Sequence, residues 1–143
     1  MFTRIYIIDD DPIDRFIART VVSSFCRDSE IEDFSEASSA LNKLRHLAEN
    51  DAFAFPKLIL LDINMPLMNG FAFLDQLKVF PYPYIKNCSI FMLSSSANAK
   101  DLEQAMSSNV VKTYIIKPLT HQLFNNIIEL ESTKRQSSNV DPR

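Results

Sequence analysis

Five polar side chains follow directly on, or close, short apolar runs, and their types suit one another chemically. Asp9 and Asp10 follow "RIYII", Asp62 follows "LILL", Ser94 follows "SIFML" and Lys117 follows "TYII". Taken singly, an aspartate in that place is a turn former or helix cap, a serine is loop and a lysine is solvated surface. Taken together they supply three carboxylates, a hydroxyl and an ammonium. Two or three carboxylates suit magnesium, a hard cation that takes oxygen ligands and keeps several waters. The cation would relieve the repulsion between neighbouring acids. A phosphoryl group could then meet the metal on one side, Lys117 on the other and Ser94 at a third oxygen. Those are the positioning and charge-neutralising parts that phosphoryl transfer needs.

For these groups to meet, the runs must be neighbouring strands pointing the same way. Arg4–Ile8, Ile31–Phe34 (the weakest), Leu58–Leu61, Ser89–Leu93 and Thr113–Ile116 read as buried strands, rich in Ile, Leu, Phe and Tyr. Between them apolar residues recur at helical spacing: Ile13, Phe16, Ile17, Thr20 and Val21, then Ala40, Leu41, Leu44, Leu47 and Ala48. Phe71, Leu74 and Leu77 follow, then Leu102, Ala105 and Met106, and finally Leu123, Phe124, Ile127 and Ile128. Asp11 is placed to cap the first helix and Pro12 suits its first turn. Five strands alternating with five helices predict an α/β domain, a doubly wound five-stranded parallel sheet with helices on both faces. Ligands in such sheets sit outside the carboxyl ends of the strands, where the five polar groups fall. Residues 1–131 form this one domain. "VFPYPYIKNC" (79–88) reads as an extended loop, and the polar segment 132–143 as a disordered tail.

Composition narrows the function classes. The chain has 143 residues, 46% apolar and 23% charged, with net charge −3 and scattered Lys and Arg, so it carries no electrostatic footprint for nucleic acid. The N-terminal apolar stretch is too short for a signal peptide and no run approaches a membrane span, so a cytoplasmic protein is expected. Cys26 and Cys88 match no metal spacing and read as buried small hydrophobes. His46 and His121 fall on helices away from the strand ends and read as surface residues. Gly70 is the sole glycine, so neither a P-loop nor a dinucleotide fingerprint can be built.

The blocks "IIDDDP", "LLDINMPLMNG", "MLSSS" and "YIIKP", in this order, resemble the signature of response-regulator receiver domains, the flavodoxin-like, CheY-like fold of two-component signalling. The resemblance covers about residues 3 to 131. It implies that Asp62 is the phosphoacceptor, attacking a phosphohistidine on a sensor histidine kinase or a histidine phosphotransfer protein. It further implies that Asp10, Asp62 and the backbone carbonyl of Asn64 bind magnesium, with Asp9 acting through a metal-bound water. Ser94 matches the switch hydroxyl, Lys117 the phosphate-pairing lysine and Tyr114 the aromatic switch. The Lys117–Pro118 bond is expected to be cis. Output would pass to an unknown downstream protein through about residues 101 to 131, with no attached effector domain, no nucleic acid and no membrane.

Two departures from the family's pattern stand out, the glycine-free "SSNVVKTY" and the long, proline-rich segment 79–88, beside a third of little expected consequence at Asn69. Asn69 occupies a position where Asp is frequent in the family, with Gly70 beside it expected to need unusual backbone angles. "SSNVVKTY" is glycine-free and slightly extended. An aspartyl-nucleophile phosphohydrolase would share the carboxylates and Lys117, but Asn64 stands where its general acid would be and no segment is left for a cap. An intermediate in a phosphorelay fits equally well. A degenerate adaptor is disfavoured because every site group is present.

Overall fold

The computed structural model describes residues 2–138. The apolar runs form five strands: β1 (Arg4–Ile8), β2 (Glu30–Phe34), β3 (Leu58–Asp62), β4 (Ser89–Ser94) and β5 (Val111–Ile116). Six helices separate or follow them: α1 (Pro12–Phe25), α2 (Ala37–Asn50), α3 (Gly70–Leu77), α4 (Tyr82–Lys86), α5 (Ala99–Met106) and α6 (His121–Ser138), with a 3-10 turn at Ala52–Ala54. The strands make one parallel sheet in the order β2-β1-β3-β4-β5. Strand order reverses between β1 and β3, the crevice where sheets of this kind bind ligands.

Alternation along each strand divides the core in two, because successive side chains point to opposite faces. Tyr6, Ile8, Ile59, Leu61, Ile90 and Met92 pack against α2 and α3. Ile5, Ile7, Leu58, Leu60, Phe91 and Leu93 pack against α1 and α6. β3 and β4 are buried on both faces, which is why they read as unbroken apolar runs. β2 reads weakly because it is an edge strand: Glu30, Glu32 and Asp33 keep its outer side charged and discourage pairing with another chain.

Several expectations are revised. On α1 the inward face is Ala18, Val21 and Val22, whereas Ile13 and Phe16 are 69% and 71% exposed. Both sets satisfy helical periodicity. The rotation chosen by the chain also turns Asp14 inward, since positions 14, 18, 21, 22 and 25 share one face. On α5 only Ala105 of the expected stripe is buried; Leu102 and Met106 are exposed. Segment 79–88 is not extended throughout, for its centre, Tyr82–Lys86, folds into α4. Pro81 and Pro83 fall at the helix start, where proline is tolerated, and Tyr84 stacks on Phe55 with ring centroids 5.2 Å apart. Chain order also does not stop at Glu131, since α6 continues to Ser138. No glycine or proline interrupts it, and extending a formed helix is cheap. The remainder of the expected disordered tail, 139–143, lies outside the described residues. The glycine-free stretch runs into β5 and bulges inside the strand, as the pairing passes from Ile90↔Val111 to Phe91↔Thr113 and leaves Lys112 extra.

Gly70 is required for a different reason than expected. Its φ is not positive; the left-handed residue in this loop is the exposed Leu67, with φ 68°. A Cβ at Gly70 would lie 2.6 Å from the carbonyl oxygen of Asp62 and 3.0 Å from Ile63 Cα. Glycine therefore lets the start of α3 press against the end of β3. There the Gly70 N–H donates to the Ile63 carbonyl at 2.8 Å, and Asn69 caps the helix through the Ala72 N–H. Gly70→Ala should cost about 1–3 kcal/mol, because the colliding atoms are backbone and cannot swing away. Thermal denaturation should show a melting point lower by several degrees, and an unchanged one would contradict this close approach.

Candidate functional site

Three strand ends build the site. Asp9 is the first residue past β1; its N–H donates to the Phe34 carbonyl of β2 at 3.0 Å, which fixes the chain as it leaves the sheet. Its Oδ1 accepts the Asp11 N–H at 2.9 Å, so one carboxylate oxygen is held by the turn into α1. Asp11 accepts the Ile13 and Asp14 N–H groups as the expected cap of α1. Asp62 closes β3, whose neighbours are β1 and β4, with Asp62 paired to Leu93 in register. Lys117 is the first residue past β5, and its N–H donates to the Ser94 carbonyl at 2.8 Å. The Lys117–Pro118 bond is cis.

The side chains converge as the parallel topology requires. Carboxylate oxygens of Asp9, Asp10 and Asp62 lie within 4.8 Å of one another, a group able to hold a metal ion. Asp9 and Asp62 are buried and Asp10 is exposed at the mouth. Lys117 Nζ lies 2.8 Å from Asp9 Oδ2 and 3.1 Å from Asp62 Oδ1. It also donates to Asp14 Oδ2 at 3.0 Å, a contact that the strand-end reasoning missed. The signal was present in the sequence, because Asp14 shares the helical face of Ala18, Val21 and Val22. Arg15 is a second unforeseen neighbour: its guanidinium donates to the Asp9 carbonyl at 2.8 Å and approaches Asp33.

Ser94 and Tyr114 are linked to each other and not to the carboxylates. Ser94, fully buried, accepts the Ser96 N–H at its Oγ, 3.0 Å away. The Tyr114 hydroxyl donates to the Ser96 carbonyl at 2.9 Å. Asn64 is exposed on the loop leaving β3. His46 is exposed on α2 and His121 is exposed at the start of α6, its ring 6.0 Å from that of Phe25.

Electrostatics follow from this packing. Like charges about 4 Å apart repel by roughly 4 kcal/mol at the effective dielectric of a partly buried site. Burial, then the Asp9 charge, push Asp62 up to about 7, against the pull of Lys117. Burial likewise raises Asp9 above the ordinary carboxylate range, with the Lys117 hydrogen bond opposing it. Burial alone would lower Lys117, but its contacts with Asp9, Asp14 and Asp62 outweigh that and hold it above its usual value. All donors are oxygens and their charge is incompletely balanced, so the residues fit a hard divalent cation.

Known proteins resemble this chain in sequence and in fold. The family model of the response regulator receiver domain matches residues 5–129. The chain belongs to the response-regulator receiver family. It is 28% identical to the chemotaxis protein CheY1 of Helicobacter pylori over 127 residues, covering 89% of this chain and 94% of CheY1. It is 31% identical to the probable methanogenesis regulatory protein FilR2 of Methanothrix harundinacea over 99 residues, 69% of this chain and 61% of that protein. The chain thus spans less than two thirds of the length of several curated relatives. Among solved structures, a two-component response regulator from Cytophaga hutchinsonii superposes with a TM-score of 0.80 at 33% identity, covering 91% of this chain and 96% of that one. Receiver domains are signalling switches that bind magnesium at an acidic pocket and interact with histidine kinases and phosphotransfer proteins. Among the described residues no helix is long and apolar enough to cross a membrane.

Proton and cation compete for Asp62. Since that carboxyl sits at about 7, apparent magnesium affinity should fall roughly tenfold per pH unit below that value and level off above it. Titration calorimetry across pH would read this slope, and a pH-independent affinity would contradict it. Without metal, a raised pKa means stability that is present at acid pH and lost as pH rises from about 4 to about 7. Metal-free Asp62→Asn should therefore melt above the wild type at alkaline pH, with the gap closing near the unfolded carboxyl value. A gap that ignores pH would mean that Asp62 is not destabilised by its surroundings.

Proposed function

We propose that this receiver domain is a phosphoacceptor switch in which Asp62 takes a phosphoryl group from a phosphohistidine on a sensor histidine kinase or a histidine phosphotransfer protein. The observation that carries this reading is the Lys117 ammonium shared between Asp62 and Asp9, beside a three-carboxylate group fit for a cation. A carboxylate oxygen of Asp62 attacks phosphorus; the P–N bond breaks, the imidazole leaves with the electron pair, and an aspartyl phosphate forms. Asp9, Asp10, Asp62 and the Asn64 carbonyl would hold magnesium, which neutralises charge on the transferred oxygens. Lys117 exchanges its contact with Asp62 for a phosphoryl oxygen, and its charge offsets the dianion.

Ser94 supplies the switch. Its Oγ accepts the Ser96 N–H and still has its own hydrogen to give a phosphoryl oxygen, so turning toward that oxygen pulls on Ser96, the residue whose carbonyl also anchors the Tyr114 hydroxyl. Movement of Ser94 is thereby coupled to Tyr114. The output surface is about residues 101 to 131, where Leu102, Met106 and Ile116 are exposed and available to a downstream protein. Phosphorylation biases a two-state equilibrium of that face. A place as intermediate in a phosphorelay uses the same chemistry.

The test is phosphorylation with magnesium and acetyl phosphate, or with a phosphorylated kinase. One acid-stable, base-labile phosphoryl group should be gained by the wild type and none by Asp62→Asn. Asp10→Ala should weaken magnesium binding and slow the reaction with it. No adduct from either donor would overturn the proposal.

A further inference from the structure

An ammonium has three hydrogens to donate, and Lys117 spends them on three carboxylates: Asp9 at 2.8 Å, Asp14 at 3.0 Å and Asp62 at 3.1 Å. Two of these belong to the cation-binding group, but Asp14 does not. It comes from the first turn of α1, 103 positions away in sequence from Lys117. Its direction is set by packing, since Ala18, Val21 and Val22, one and two turns further along the same face, are buried against the sheet. The anchor is thus fixed by the core and not by the loop that carries Lys117.

We infer that Asp14 is a positioning residue for phosphoryl transfer, holding the Lys117 ammonium over Asp62 while its other two carboxylate partners change state. This inference rests on Asp62 being the phosphoacceptor. Once a cation is bound, Asp9 and Asp62 share their lone pairs with it, and once Asp62 is phosphorylated its ester oxygen no longer carries the charge that held the ammonium. Asp14 alone of the three keeps a full charge toward Lys117 throughout. Lysine has a flexible four-carbon stem and a strongly hydrated head, so a Lys117 released by Asp9 and Asp62 without a third anchor would swing toward water. Two other roles make opposite predictions. A carboxylate that merely complements the α1 dipole would affect stability alone. One that competes with the phosphoryl group for Lys117 would slow the wild type, so that its removal speeds the reaction.

The test is a double-mutant cycle on the rate of phosphorylation by acetyl phosphate at saturating magnesium, using wild type, Asp14→Ala, Lys117→Ala and the pair. Asp14→Asn, which keeps the shape, serves as a second variant, and circular dichroism with thermal melts checks folding. Asp14→Ala and Asp14→Asn should each slow phosphorylation by roughly ten- to hundredfold, the scale of a misplaced catalytic group, with magnesium affinity retained. In the Lys117→Ala background Asp14→Ala should have no further effect. Unchanged or faster phosphorylation in both Asp14 variants, or equal slowing with and without Lys117, would overturn the inference. A wild type that takes up no phosphoryl group would instead overturn the phosphoacceptor reading itself.

Discussion

Carboxylates crowded at the end of an apolar sheet repel one another, and Lys117 is what lets them stay there. Its ammonium touches Asp9, Asp14 and Asp62 at hydrogen-bond distance. Lys117, with the Arg15 guanidinium on the Asp9 carbonyl, faces four acids, counting Asp10, and burial first, then the Asp9 charge, raises the Asp62 carboxyl. Such a site is poorly satisfied alone and well satisfied by a hard cation, so the same tension that costs stability creates affinity. Phosphorylation of Asp62, as proposed, would change the charge at a point where β1, β3 and β5 all end.

The sheet exists in the form needed to bring those ends together. A parallel arrangement with β1 beside β3 delivers Asp9 and Asp62 to one crevice, and the Lys117 N–H bonded to the Ser94 carbonyl joins the ends of β4 and β5. Gly70 permits α3 to begin against the Asp62 carbonyl, and the Asp11 cap starts α1 immediately past the acids. Each of these is a local choice of residue type with a geometric consequence at the site.

How much was legible beforehand depended on the kind of information. Strand-end residues were readable because a buried parallel strand is a short apolar run with an abrupt polar end, so Asp9, Asp10, Asp62, Ser94 and Lys117 could be listed with the sheet that gathers them. The rotation of α1 was not readable from apolar spacing, because Ile13 and Phe16 compete with Ala18, Val21 and Val22 for the inward face. Small residues win where a helix must lie close and a charged partner waits at the sheet edge. Missing that rotation meant missing Asp14. Pro81 and Pro83 read as an extended loop although they sit where a helix accepts proline, and Gly70 read as a φ requirement although the constraint is a close approach. Such outcomes depend on tertiary neighbours that no local pattern contains.

If the Lys117 ammonium and a bound hard cation together offset the carboxylates at these strand ends, Asp62 is left free to accept a phosphoryl group. The most direct measurement traps the product of transfer from a phosphorylated histidine kinase by borohydride reduction and maps the modified residue by mass spectrometry. Reduction is expected at Asp62 alone, and only with magnesium present. Modification at another residue, or transfer that proceeds equally well without a divalent cation, would contradict it.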